Sequence, residues 1–210
     1  MLKVGLTGSI AVGKSFVLAR LRTLGCLTSD ADHIAREVVA QGSEGLNAVV
    51  AEFGDGVLDA HGALDRARLR TIVFESEEHR LRLNEILHPL ILERQDRTLA
   101  KWEVEAPSGI GVVEAALMIE SGGFRRFDKI IVVHCDTEKQ IERLIRRNSV
   151  TRDEAERRIG AQMPQSEKIR YADFLIDTSD DKAATMRRTD EVYREMRKLL
   201  DDSANIKAAG

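Results

Sequence analysis

Three short apolar runs stand out along the chain, Leu2 to Leu6, Ile110 to Val113 and Lys129 to Val133. They are rich in β-branched residues and do not alternate with polar ones, the pattern of strands buried on both faces in a parallel sheet. Two shorter runs, Cys26 to Ser29 and Phe174 to Ile176, bring the set to five. Between the strands the apolar period changes to that of helices. Ile141, Leu144 and Ile145 recur at three and four within a helix from about Thr137 to Arg147, where Thr137 and Gln140 have capping-box spacing. A charged helix from roughly Lys182 to Leu200 carries Met186, Val192, Met196 and Leu199 on one side and packs on the sheet. Strands alternating with helices predict a doubly wound α/β fold.

From Ala35 to Glu105 the pattern is helical and no strand is evident, which is too long for a simple crossover and predicts an inserted helical lobe. Inside it, Gly54 to Leu64 is rich in Gly and Asp, and Pro89 should kink or end a long amphipathic helix just after His88. His88 is then either a cap at that helix end or a ligand contact. Trp102 anchors the same long helix in a small core.

The first strand runs directly into Gly8-Ser9-Ile10-Ala11-Val12-Gly13-Lys14-Ser15, the full G-x-x-x-x-G-K-S phosphate loop, and a helix with Val17, Leu18 and Leu21 on its buried side follows. Glycines at both ends let successive amides turn inward toward phosphate oxygens. Lys14 brings a mobile cation to the β and γ phosphates, and the Ser15 hydroxyl suits Mg²⁺. The helix dipole adds to the pull on an anion. Binding of a nucleoside triphosphate follows from this strand, loop and helix together.

Composition narrows the picture by exclusion. With 32 Lys and Arg against 35 Asp and Glu, nothing global calls for nucleic acid or an anionic membrane. No apolar run nears the roughly 20 residues of a membrane span, and the chain enters a strand at once, without a signal peptide. Cys26 and Cys135 form no metal-ligand or redox pattern. These features together predict a cytoplasmic protein with no obligate protein partner evident.

Guanine reading needs N-K-x-D, which is missing, and Asp59-Ala60-His61-Gly62 reads as a turn rather than a switch. Arg143, Arg146, Arg147, Arg152, Arg157, Arg158, Lys168 and Arg170 instead crowd around a helix opened by Thr151 and Glu154. Either they form a lid that closes over the transferring phosphoryl group and excludes water, or they pair with Glu138, Glu154 and Glu156 on a solvated surface. Asp30-Ala31-Asp32 sits where the second strand ends, the place open α/β sheets bind ligands. One carboxylate there is suited to deprotonate an acceptor hydroxyl, while the other caps the next helix or supports it. Glu114 ends a strand and either positions a Mg²⁺-bound water or pairs with an arginine.

At this point the chain resembles the dephospho-coenzyme A kinase family over almost its whole length. The likeness lies in the phosphate loop, in Leu24-Gly25-Cys26 leading to Asp30-Ala31-Asp32 and Ala35-Arg36, and in Leu64-Asp65-Arg66 and His88-Pro89. It continues through Glu114, Gln140 with Arg143 and Arg147, Arg158-Ile159 with Gln162, and Ala172-Asp173 before Ile176-Asp177.

The resemblance implies a three-layer P-loop kinase fold with a five-stranded parallel sheet, an inserted helical acceptor lobe and a short helical lid. It implies one domain, with residues 1–34, 106–142 and 171–202 as core, 35–105 as acceptor lobe, 143–170 as lid and 203–210 as a flexible tail. The implied reaction is ATP-dependent phosphorylation of the ribose 3′-hydroxyl of dephospho-coenzyme A. Gly8 to Ser15, Arg143 and Arg147 would hold ATP, with Ser15 on Mg²⁺. Asp32 would be the general base, Lys14 and Arg143 its catalytic partners on the phosphates, and Asp30, Arg36, Asp65, Arg66 and His88 the acceptor side. Ser9, Phe16, Ala116 and Thr178 depart from the family's usual glycine, threonine, proline and asparagine. A related nucleoside or nucleotide kinase, or an ATP-sensing binding module, would share the same loop.

Overall fold

The computed structural model describes residues 1–208, without the side chains of Asp32, Glu75 and 203–208. The flexible tail expected at 203–210 therefore lies outside the described residues for its side chains, and at 209 and 210 altogether.

Five strands, β1 (Leu2–Thr7), β2 (Leu27–Asp30), β3 (Ile110–Glu114), β4 (Lys129–His134) and β5 (Phe174–Asp177), form one sheet in the order β2-β3-β1-β4-β5. β1 runs parallel to both neighbours, with Leu2 opposite Ile110 and Val4 opposite Lys129, and β4 runs parallel to β5 with Ile131 opposite Phe174. The run pattern placed all five strands to within a residue or two.

The continuous apolar runs reflect burial on two sides. Val4, Leu6, Ile131, Val133 and Ile176 face a core with α1 (Lys14–Thr23) and α9 (Lys182–Ala208), through Val17, Leu21, Val192 and Met196. Ile130 and Val132 point the other way, onto Met118, Ile119, Phe124, Phe127, Met163 and Ile169. Each such buried aliphatic side chain stabilises the fold by about 1.5–3 kcal/mol relative to exposure. Gly5 lies in β1 where a Cβ would come within 2.5 Å of Met118 Sδ and 2.8 Å of Ile130 Cδ1, so the absence of a side chain lets this second layer approach the sheet. On α9 the buried stripe is Thr185, Thr189, Val192 and Met196. Met186 and Leu199, expected on that stripe, are more than one-third exposed.

Two further expectations need correction. Thr137 is the first helical residue of α6 (Thr137–Asn148) rather than its cap, Asp136 precedes it without a side-chain capping bond, and Gln140 turns inward to other partners, so the expected capping box does not form. The Pro89 expectation fails as an ending: α5 (Glu77–Glu105) continues through it, so His88 caps nothing. Leu83, Ile86 and Leu87 pack before the proline and Leu99 is buried after it, and this tertiary burial outweighs one lost backbone bond. Beyond it Trp102 lies against Gly111 of β3, 3.0 Å from where a Cβ would stand.

The chain divides into two compact units, Met1–Ser29 with Lys101–Gly210, and Asp30–Ala100. The second holds α2 (Ala31–Glu37), α3 (Glu44–Phe53), α4 (Arg66–Glu75) and most of α5 around Val39, Val49, Val57 and Leu69. Asp59 Oδ1 accepts from the amides of His61 at 2.8 Å and Ala63 at 3.0 Å, which closes the expected turn.

Candidate functional site

β1 delivers the chain to Gly8, where φ is 151° and a Cβ would lie 2.3 Å from the Val133 carbonyl oxygen. No other residue fits so close to the neighbouring strand. Ala11 adopts a left-handed φ of 62°, uncommon for a residue with a side chain, and Gly13 at φ 98° caps α1, its carbonyl accepting from the amides of Phe16 and Val17. The first turn of α1 carries no acidic residue to offset the positive end of the helix dipole.

That end opens on a cavity of about 490 Å³ lined by Ala11, Gly13, Lys14, Ser15, Arg143, Arg146 and Arg147. Lys14 Nζ donates to the Ser9 carbonyl at 3.2 Å and stands 3.7 Å from Glu114 Oε1. Glu114 is thus an ionic neighbour of the loop lysine. Exposed Ser15 places a hard oxygen on the cavity wall. No cluster of three His, Cys, Asp or Glu side chains occurs among the described residues. This donor set fits Mg²⁺, which takes one or two protein oxygens and completes its shell with water and phosphate.

Arg143 is held in a fixed orientation. Its Nη1 donates to Thr178 Oγ1 at 2.9 Å and its Nη2 to the Thr178 carbonyl at 2.6 Å. The Thr178 hydroxyl in turn donates to the Val12 carbonyl at 2.6 Å, which ties β5 to the loop. Arg146 and Arg147 follow one turn later on α6, both exposed at the cavity.

The rest of the basic cluster goes elsewhere. Arg152, which opens α7 (Arg152–Gly160), pairs with Glu138 at 2.7 Å and Glu156 at 2.8 Å, and Arg158 pairs with Glu154. Lys168, at the end of α8 (Gln165–Lys168), is fully buried, 2.8 Å from Glu120 Oε1 and donating to the Ala116 carbonyl at 2.7 Å. Of the two readings of the cluster, the surface pairing fits Arg152 and Arg158, and the cavity belongs to the arginines of α6.

Gln140 and Gln162, which carry part of the family resemblance without an assigned role at this loop, join Gln165, which the sequence does not single out, in one hydrogen-bonded part of the site. The Ile10 amide donates to Gln162 Oε1 at 2.7 Å and the Ile10 carbonyl accepts from Gln140 Nε2 at 2.7 Å. Gln165 Nε2 donates to Gln140 Oε1 at 2.7 Å. The available signal was a glutamine at 140 beside Ile141 and Leu144, on the face of α6 that is otherwise apolar.

The remaining predicted positions lie in the second unit. Asp30 ends β2 and Asp32 follows within α2, its side chain outside the described residues. Arg36 is exposed in the last turn of α2. Asp65 caps α4, accepting from the amides of Ala67 at 3.0 Å and Arg68 at 3.1 Å and pairing with the Arg68 side chain. Arg66 begins that helix and His88 lies midway along α5, both exposed. The two thiols are buried and inert as nucleophiles; burial pushes Cys26 up to about 12 and also raises Cys135. No helix among the described residues is long and apolar enough to cross a membrane.

Known proteins resemble this chain over most of its length. A dephospho-CoA kinase of Geobacillus kaustophilus is 42% identical over 189 residues, covering 89% of this chain and 92% of that protein. One from Thermobifida fusca is 41% identical over 201 residues, covering 95% and 98%. The solved dephospho-CoA kinase from Campylobacter jejuni superposes with a TM-score of 0.73 at 27% identity, covering 93% of this chain and 97% of that one. The dephospho-CoA kinase family model matches residues 2–183, and the chain belongs to the dephospho-CoA kinase family.

Proposed function

We infer that this chain transfers the γ-phosphoryl group of ATP to the ribose 3′-hydroxyl of dephospho-coenzyme A, yielding coenzyme A and ADP. The observation that carries this reading is the cavity at the start of α1, where loop amides, Lys14 and an oriented Arg143 converge, in a chain of this family.

The residue roles follow from charge and position. The backbone from Gly8 to Ser15 cradles the phosphates, and Lys14 shifts from its contacts with Ser9 and Glu114 to the β and γ oxygens. Arg143, with its plane set by Thr178, meets the charge that develops on the equatorial oxygens, and Arg147 adds a second, exposed cation. Ser15 would hold Mg²⁺, which would supply charge neutralisation of the transferring phosphates. Asp32 takes the proton from the 3′-hydroxyl as that oxygen bonds to the γ phosphorus in line and the bond to ADP breaks. Asp30 supports acceptor binding, Arg36, Arg66 and His88 meet the acceptor, and Asp65 contributes by fixing the start of α4 beside Arg66. The two free, buried cysteines suit a reducing cytoplasm.

The test is ADP release from Mg²⁺–ATP with and without dephospho-coenzyme A, with the mass of the acceptor measured, and adenosine, AMP and CMP run beside it. One phosphoryl group gained by dephospho-coenzyme A alone is the expected result. Clean transfer to another acceptor would overturn the substrate. In Asp32→Asn, ATP binding should survive and transfer should fall by about two orders of magnitude or more; near-normal turnover would reject the base assignment.

A further inference from the structure

Ile10 sits at the outer turn of the phosphate loop, and both polar groups it contributes to the backbone are taken by glutamine side chains. Its N–H donates to Gln162 Oε1 and its C=O accepts from Gln140 Nε2, each at 2.7 Å. Behind Gln140 the line continues, since Gln165 donates to Gln140 Oε1 at 2.7 Å and accepts from the Cys135 amide at 3.0 Å. All these bonds run in one sense, donor to acceptor, from the end of β4 through α8 and α6 to the loop and on to Gln162. Such chains polarise one another and resist piecemeal breakage. Gln140 is fully buried, so no water replaces its bond. The next residue, Ala11, is the one that holds a left-handed φ of 62° with a side chain present, and it lines the phosphate cavity. Ile10 and Ala11 also pack against Ile141, Leu144 and Ala155, which closes the loop's outer side.

A left-handed alanine persists only where its surroundings fix it. Here the two glutamines fix the peptide groups on either side of Ile10, Gln140 holding the one that leads into Ala11. We propose that Gln140 and Gln162 are positioning residues of the phosphate loop: by clamping the Ile10 peptide they hold Ala11 in its left-handed turn, so that the loop is shaped for the triphosphate before the nucleotide arrives. The proposal rests on reading Gly8 to Ser15 as the ATP phosphate site. Gln162 comes from the stretch between α7 and α8, so the same clamp fastens that segment to the loop.

The test compares ATP affinity by calorimetry, melting temperature and steady-state transfer to dephospho-coenzyme A in the full chain. Gln140→Glu keeps the shape but sets an acceptor against the Ile10 carbonyl. It should weaken ATP binding tenfold or more and raise KM for ATP more than it lowers kcat. Ala11→Gly added to that background should restore most of the affinity, because glycine adopts the left-handed turn without help. Loss of mere packing would lower the melting temperature and would not be rescued at Ala11. Gln162→Ala, at a half-buried position, gives the same comparison if Gln140→Glu does not fold, with a smaller loss of about threefold to tenfold. Wild-type ATP affinity in the folded variants, or a loss that Ala11→Gly does not recover, overturns the clamp. Lys14→Ala is the separate control: undiminished ATP binding there would overturn the phosphate-loop reading itself.

Discussion

Thr178 carries more of the site than its size suggests. One hydroxyl and one carbonyl orient Arg143, and the hydroxyl also secures Val12, 166 residues away in sequence. Hydrogen bonds to a charged group contribute about 1.5–3 kcal/mol. Thr178→Val should therefore lower kcat/KM by roughly tenfold to a hundredfold, with ATP still bound and the fold intact by circular dichroism, while Thr178→Ser stays near the parent. A Val variant with parental kinetics would mean that the carbonyl alone orients Arg143. The phosphate loop was legible in the sequence because its geometry is local, with two glycines, a lysine and a serine in eight consecutive residues. Thr178 and Gln140 were not, because their meaning depends on loop carbonyls more than a hundred residues away. Thr178 showed only as a departure from an expected asparagine, and Gln140 was read as half of a capping box.

At the scale of elements, strands were easier to read than helix ends. A strand buried on both faces announces itself by composition, whereas the course of α5 past Pro89 depends on what packs against it. The lobe's turn at Asp59 was readable, since Asp and Gly at that spacing carry their own hydrogen-bonding logic. Gly5 tests the layer packing directly. Gly5→Ala places a methyl group against Met118, Ile130 and Phe127, and overpacking of this kind costs about 1–3 kcal/mol. Urea unfolding should show a lower midpoint with an unchanged slope. An unchanged midpoint would mean that the flexible Met118 side chain yields freely and that this layer is not tightly packed.

For the molecule as a whole, the residue roles proposed above put the two substrates on different units of the chain, Met1–Ser29 with Lys101–Gly210 for ATP and Asp30–Ala100 for the acceptor. In hydrogen exchange, a non-hydrolysable ATP analogue should slow residues 8–15 and α6, and dephospho-coenzyme A should slow residues 30–36 and the start of α4. Protection by dephospho-coenzyme A confined to the first unit would sink the roles given to Arg36, Arg66 and His88. The sheet order has a consequence for how the protein is made. β1 precedes the other four strands of this sheet in the chain and occupies its middle, yet the neighbours on its two sides begin at Ile110 and Lys129. At about 5–20 residues per second on the ribosome, its unpaired backbone edges wait roughly 5–20 s for a partner. The phosphate loop waits longer still, because Gln140, Gln162 and Thr178 lie more than a hundred residues beyond it. A nascent chain thus carries the complete nucleotide motif long before the side chains that shape it, and gains the ability to use it only after Thr178 has been made.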